Sequence, residues 1–278
     1  MEILFIIMIF FIGTVFGSFF TLAVYRIPLG KNITHERSFC PNCEHRLEFK
    51  DLIPVFSYIF LKGKCRYCGE KVRPRYLILE ILSGTVFVLA YISVKINILG
   101  ISYLYFGINY EQTVEKLIYL LAFTCFYITN AIIIGIDKEY MQINRKVLIF
   151  GILTQILYMI YLNILGQQYN YIIYLITLIF LLISTVGVAV FGDPEKNKNY
   201  IFQNILYLIY ITKFIGIKNL IILIPILILI IVFLSLKNGS PRTTTPTKNK
   251  YKILIGFSIG ISAIITTLIS NFVKNYIE

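Results

Sequence analysis

Two groups of residues in this 278-residue chain have the types and spacing to do chemistry. Cys40, Cys43, Cys65 and Cys68 form C-x2-C-x21-C-x2-C within "SFCPNCEHRLEFKDLIPVFSYIFLKGKCRYCGEKVRPRY". Each C-x2-C puts two thiolates on one tight turn, and two such turns can close a tetrahedral shell around zinc with bonds of about 2.3 Å. Four thiolates leave no open position for water, so a metal held there is structural and not catalytic. Gly63 and Gly69 flank the second pair and suit the tight backbone such turns require. His35 and His45 lie close in sequence, but with four thiols available they are expected at the surface. The alternatives are four unliganded, reduced cysteines or a redox pair. Cys125, alone in an apolar run, reads as a buried and inert thiol.

The second group is acidic. Asp137 ends one apolar run in "IDKEYMQINRK", and Asp193 ends another in "VAVFGDPEKN". A carboxylate at the edge of a bilayer is either a solvated helix-end residue or a functional group. A helix C-terminus disfavours negative charge, and Gly192 before Asp193 would let a peptide backbone approach closely. Two carboxylates within a few ångströms share a proton and split their pKa values. One then serves as base to activate water while the other donates to the scissile carbonyl, which is aspartic peptide hydrolysis. That chemistry requires the two helices to be neighbours. Glu80 is the third acidic residue inside a span on the same side; it either hydrogen-bonds backbone nearby, pairs with Arg75, or, more commonly for such a residue, faces water and headgroups.

The elements that must carry these groups are membrane helices. With 58% hydrophobic and 14% charged residues, the chain reads as an all-α polytopic membrane protein. Apolar segments near 3–25, 76–98, 117–136, 147–165, 170–192, 201–217, 219–236 and 253–273 give about eight transmembrane helices, close to the ~20 residues a span requires. The sixth and seventh are separated only by "KN", so seven spans or a re-entrant pair is the alternative. The N-terminal stretch carries Glu2 where a signal peptide has a basic region and reads as a retained first helix. The divisions expected are 1–25 as the first span, 26–75 as a cytosolic tetracysteine loop and 76–278 as the transmembrane core with both aspartates.

With the N-terminus outside, 21 of the 26 Lys and Arg residues fall on the inner side. That asymmetry orients the protein by the positive-inside rule, with the cysteine loop and both aspartates facing the cytoplasm. The net charge of +12 therefore reflects topology and attraction to the lipid bilayer, and nucleic acid is not expected as a partner. The ten-residue apolar stretch "LIPVFSYIFL" inside the loop is too short to span and is expected beside the knuckles or on the membrane surface.

Along most of its length the chain resembles the bacterial type IV prepilin peptidases, which are membrane aspartic proteases. The likeness is carried by "GSFFTLAVYRIP", "CPNC", "DLIPVFSYIFLKGKCRYCGEKVRPRY" and "LEILSG" in order, then by "IDKEYMQIN" and "VFGD". The resemblance implies that Asp137 and Asp193 are the catalytic pair and that Cys40, Cys43, Cys65 and Cys68 are the metal set. Val190 stands where the family's Gly-x-Gly-Asp has its first glycine, Glu195 where a basic residue is usual, and Ile143 where proline is common. The resemblance further implies a bacterial inner-membrane enzyme that cleaves prepilins or pseudopilins after a glycine joining a basic leader to an apolar helix. Many members then methylate the new N-terminus with S-adenosylmethionine, although no Gly-rich nucleotide fingerprint is present here. The rival readings are a non-catalytic metal-binding scaffold or sensor and a cation- or proton-coupled transporter. The latter usually sets its carboxylates near mid-bilayer.

Overall fold

The computed structural model describes residues 2–33, 37–94, 110–140, 142–165, 194–216, 219–238 and 255–276. The described residues are helical apart from turns and two isolated bridges, Phe39↔Arg46 and Lys64↔Lys71. In chain order the helices are α1 (Glu2–Arg26), α2 (Phe56–Phe60), α3 (Arg75–Val94), α4 (Tyr110–Tyr140), α5 (Arg145–Ile164), α6 (Pro194–Ile215), α7 (Leu220–Asn238) and α8 (Ile255–Tyr276). Five stretches among the described residues are long and apolar enough to cross a membrane: Ile3–Arg26, Arg75–Val94, Thr113–Tyr140, Arg145–Ile164 and Gly256–Lys274. They coincide with the expected first, second, third, fourth and last spans. The expected span at 170–192 lies outside the described residues. α6 and α7 occupy the sixth and seventh; α6 starts earlier, at Pro194, where proline's fixed φ and missing N–H suit a first helical position.

The chain divides into two compact units, Met1–Thr124 and Cys125–Glu278. In the first, α1 and α3 pack closely because glycines face backbone. A Cβ on Gly13 would lie 2.8 Å from Gly84 Cα, and one on Gly17 would lie 2.8 Å from Glu80 Cα. Gly13 and Gly17 form a G-x3-G pattern, the spacing that lets two apolar helices touch along one stripe. Stacked Phe16 and Phe87 fill the seam, with ring centroids 5.3 Å apart. In the second unit the buried set is unusually polar for a membrane span. Thr129, Asn130, Asp137, Asn204, Tyr207, Ser258 and Ser262 have at most 1% of their surface exposed. Phe126 stacks on Phe214 at 4.1 Å, closing α4 against α6 beneath those polar groups.

Candidate functional site

In the first unit, the loop between α1 and α3 is tied down at its entry. Arg26, in the last turn of α1, is buried and donates to the carbonyls of Asn32 and Arg37, at 3.1 and 3.4 Å. Two turns of matching construction follow. Cys40 N–H donates to His45 O and Glu44 N–H to Cys40 O; in the second turn Cys65 N–H donates to Glu70 O and Gly69 N–H to Cys65 O. Each turn needs left-handed backbone at its fifth position, where Glu44 has φ 56° and Gly69 φ 72°. Gly63, at φ 67°, enters the second turn, as the tight-turn reading of both flanking glycines required.

These turns bring all four sulfurs of Cys40, Cys43, Cys65 and Cys68 within 4.8 Å of one another, a set that could hold a metal ion. Cys40 and Cys65 are buried, while Cys43 and Cys68 face outward. Cys40 Sγ and Cys68 Sγ lie 3.9 Å apart. That is close to the edge of about 3.8 Å in a tetrahedron with 2.3 Å metal–sulfur bonds. The backbone N–H of Glu70 draws the Cys68 thiol down to about 7, helped by Asn42 Nδ2 at 3.7 Å from its sulfur. At Cys43 the His45 N–H acts in the same direction, but desolvation and the three neighbouring thiols outweigh it and leave the group at about 11.

Outside the thiols, one latch joins both turns to the intervening chain. Asp51, in a short 3-10 turn at Phe49–Asp51, accepts from Arg66 Nε at 2.6 Å, Tyr67 Oη at 3.1 Å and Glu48 N–H at 3.1 Å. Its burial would raise the carboxyl pKa; those three donors reverse the sign and hold it below the usual carboxylate range. His45 lies against the Tyr67 ring, with centroids 3.6 Å apart, and so belongs to the surface of the latch and not to the sulfur set. His35 lies outside the described residues. Glu80 departs from the commoner fate expected of it. It is 8% exposed, and its Oε2 accepts the Val55 N–H at 2.7 Å. The reason is local: Val55 sits at φ 65° ahead of α2, before the first helical hydrogen bonds, and its buried N–H is satisfied by the Glu80 carboxylate.

In the second unit Asp137 has no exposed surface. Its Oδ2 accepts the Phe257 N–H at 2.8 Å, one of the amides left without an intrahelical partner in the first turn of α8. Gly256 makes this approach possible: a Cβ there would lie 3.2 Å from Asp137 Cγ and 3.4 Å from Asn204 Oδ1. Next to this group, Tyr207 Oη donates to Asn130 Oδ1 at 2.5 Å, and Asn130 Nδ2 donates to Phe126 O at 2.7 Å. Lys138 lies over the Phe257 ring at 5.8 Å. Asp137 is thus the buried member of a polar cluster from α4, α6 and α8. Asn130, Asn204 and Tyr207 are additions that the sequence reading missed. The signal was there, since polar side chains inside an apolar helix face a partner and not lipid. Asp193 lies outside the described residues. Cys125 is half-buried in α4.

Residues 11–94 match the family model described as Bacterial Peptidase A24 N-terminal domain. The first third of the chain is peptidase-like in sequence. A "Prepilin leader peptidase/N-methyltransferase" of Klebsiella pneumoniae is 41% identical over 88 residues, covering 30% of this chain and 39% of that protein. One from Myxococcus xanthus is 38% identical over 84 residues, covering 30% and 25%. One from Bacillus subtilis is 33% identical over 143 residues, covering 51% and 49%. The chain thus spans less than half the length of each of these curated relatives. No solved structure matches it. These matches narrow the resemblance drawn along most of the chain: it is dense around the α1–α3 unit and reaches at most about half of the chain in these three alignments.

Proposed function

We propose that the chain is a membrane aspartic endopeptidase that removes the basic leader from type IV prepilins or pseudopilins, cutting after the junction glycine at the cytoplasmic face. The observation that carries this reading is Asp137, a fully buried carboxylate held by a helix-terminal amide within a polar cluster of apolar helices. A group like that is expensive to keep in a membrane unless it has work to do. The printed names of the relatives supply the substrate class. Asp193 is proposed as the second carboxylate, from the resemblance of "VFGD".

In the proposed reaction, one carboxylate removes a proton from water as its oxygen adds to the scissile carbonyl carbon. The other gives its proton to the carbonyl oxygen. The carboxyl that took the proton from water then passes it to the amine nitrogen, the C–N bond breaks, and a hydroxyl of the collapsing tetrahedral intermediate returns a proton to the other carboxylate, leaving the new carboxylic acid and the free amine. The Phe257 N–H fixes the orientation of Asp137 throughout. The two acids titrate as a pair, so acid and base roles belong to the dyad.

Zinc is the metal proposed for Cys40, Cys43, Cys65 and Cys68, because four thiolates at tetrahedral spacing suit it and close the shell to water. It would secure the 26–75 loop without entering the chemical step. Methylation of the new N-terminus, with S-adenosylmethionine supplying the methyl group, is proposed from the relatives' names. No step is assigned to residues of this chain for that reaction.

The test is cleavage of a prepilin-like peptide by the full chain in detergent. Asp137→Asn and Asp193→Asn, each correctly folded, are expected to lose at least about 10²-fold in rate, the usual scale for a missing general acid or base. Wild-type rates in either variant would reject the dyad and favour the metal-binding scaffold.

A further inference from the structure

The apolar stretch inside the cysteine loop does more than fill space beside the knuckles. Residues 52–61, "LIPVFSYIFL", are bounded by Lys50 and Asp51 on one side and by Lys62 and Lys64 on the other. In the structure they rise along the α1–α3 pair: Glu80 accepts the Val55 N–H, and the Phe56 ring stacks on Phe11 at 5.5 Å. Both helices end on the loop side at basic residues, Arg26 and Arg75. At 1.5 Å per residue, Glu80 lies about 7.5 Å inside the end of α3, and Phe11 about 22 Å inside the end of α1. A hydrocarbon core is roughly 30 Å thick, so this segment reaches well within it.

We propose that residues 52–61 form a re-entrant element that enters the bilayer from the loop side and is covered there by lipid acyl chains. Non-helical backbone at membrane depth is tolerated only where protein covers it; here Pro54 and Val55 lie half-buried, with Val55 bonded to α3, and it is the outward side chains that meet lipid. Pro54 has no N–H to satisfy. Val55 gives its N–H to Glu80, Phe56 to Pro54 O and Ser57 to Ile53 O. The buried carboxylate thus caps the donor that the γ-turn at Val55, φ 65° and ψ −52°, would otherwise leave bare. The outward side chains match the same environment. Ile59 is 59% exposed and Phe60 79%, and through Phe56 they continue the exposed apolar face of α1 formed by Ile7, Met8, Ile12 and Val15. Lys62 and Lys64, where the segment leaves, suit the headgroup level.

The chain contains no tryptophan, so a single substitution supplies a unique fluorophore. The metal-loaded 278-residue chain carrying Phe60→Trp is placed in phosphatidylglycerol/phosphatidylethanolamine vesicles with ordinary or brominated acyl chains. Iodide is present on both sides in a parallel set, and Arg37→Trp, on the polar part of the loop, is the aqueous control. Phe60→Trp is expected to show blue-shifted emission, lose most of it in brominated lipid and resist iodide; Arg37→Trp shows the reverse. Ile59→Trp repeats the measurement should Phe60→Trp fold poorly. Quenching by iodide would overturn the proposal in favour of a soluble loop. Insensitivity to both quenchers would overturn it in favour of protein cover, from a second copy or another partner. The readout needs no peptidase activity, so it stands or falls separately from the proposed function.

Discussion

At Glu44 the backbone takes the left-handed conformation that Gly69 takes at the same place in the second turn. A side chain there costs about 1–2 kcal/mol that glycine avoids, and part of that gain is returned through the greater freedom of glycine in the unfolded chain. Glu44→Gly is therefore expected to stabilise the loop by up to about 1 kcal/mol, read as a higher midpoint of thermal unfolding in the metal-loaded protein. Asp51 gives the loop a pH dependence. Its folded pKa lies below the unfolded value, so its contribution is present above about pH 4 and is lost as pH falls through the folded pKa. Hydrogen exchange across residues 49–68 should show less protection in Asp51→Asn at neutral pH and a shallower loss on acidification than in wild type. Residue chemistry was legible where spacing alone decides it, as with the four cysteines. Glu80 was legible only as one of several alternatives, because its partner is a backbone N–H at the unusual φ of Val55, and no side-chain pattern chooses that donor over water or Arg75.

Elements were legible where hydrophobicity runs for the length of a span, and α1, α3 and α5 begin and end within a few residues of the expected limits. How two of them touch is a finer matter. Gly13 and Gly17 face Gly84 and Glu80 with backbone against backbone, so nothing flexible can move aside for an added methyl group. Gly17→Ala should cost about 1–3 kcal/mol as an overpacked seam, measured by thermal unfolding in detergent. An unchanged midpoint would mean that the two helices stand further apart than the structure has them. The G-x3-G spacing that announces this contact is visible in the sequence, but so short a pattern gains meaning only once the facing helix is known.

For the whole molecule, the first unit carries the sulfur set and the second the buried aspartate. Cys40→Ser and Cys65→Ser are expected to lose bound metal and to lower the unfolding midpoint while leaving the cleavage step measurable, checked by metal analysis beside the peptide assay. Abolished cleavage in a folded, metal-free variant would make the loop part of the chemistry. The aspartate's polar surroundings were the least legible feature at this scale, since Asn130, Asn204 and Tyr207 come from helices far apart in sequence. Sulfur spacing has one more consequence. Cys40 and Cys68 belong to different turns, yet their sulfurs stand 3.9 Å apart, and a shift of about 2 Å would bring them to covalent S–S distance. An ion held there would therefore also shield the pair from oxidants, and a stripped loop exposed to air would be poised to staple its two halves together.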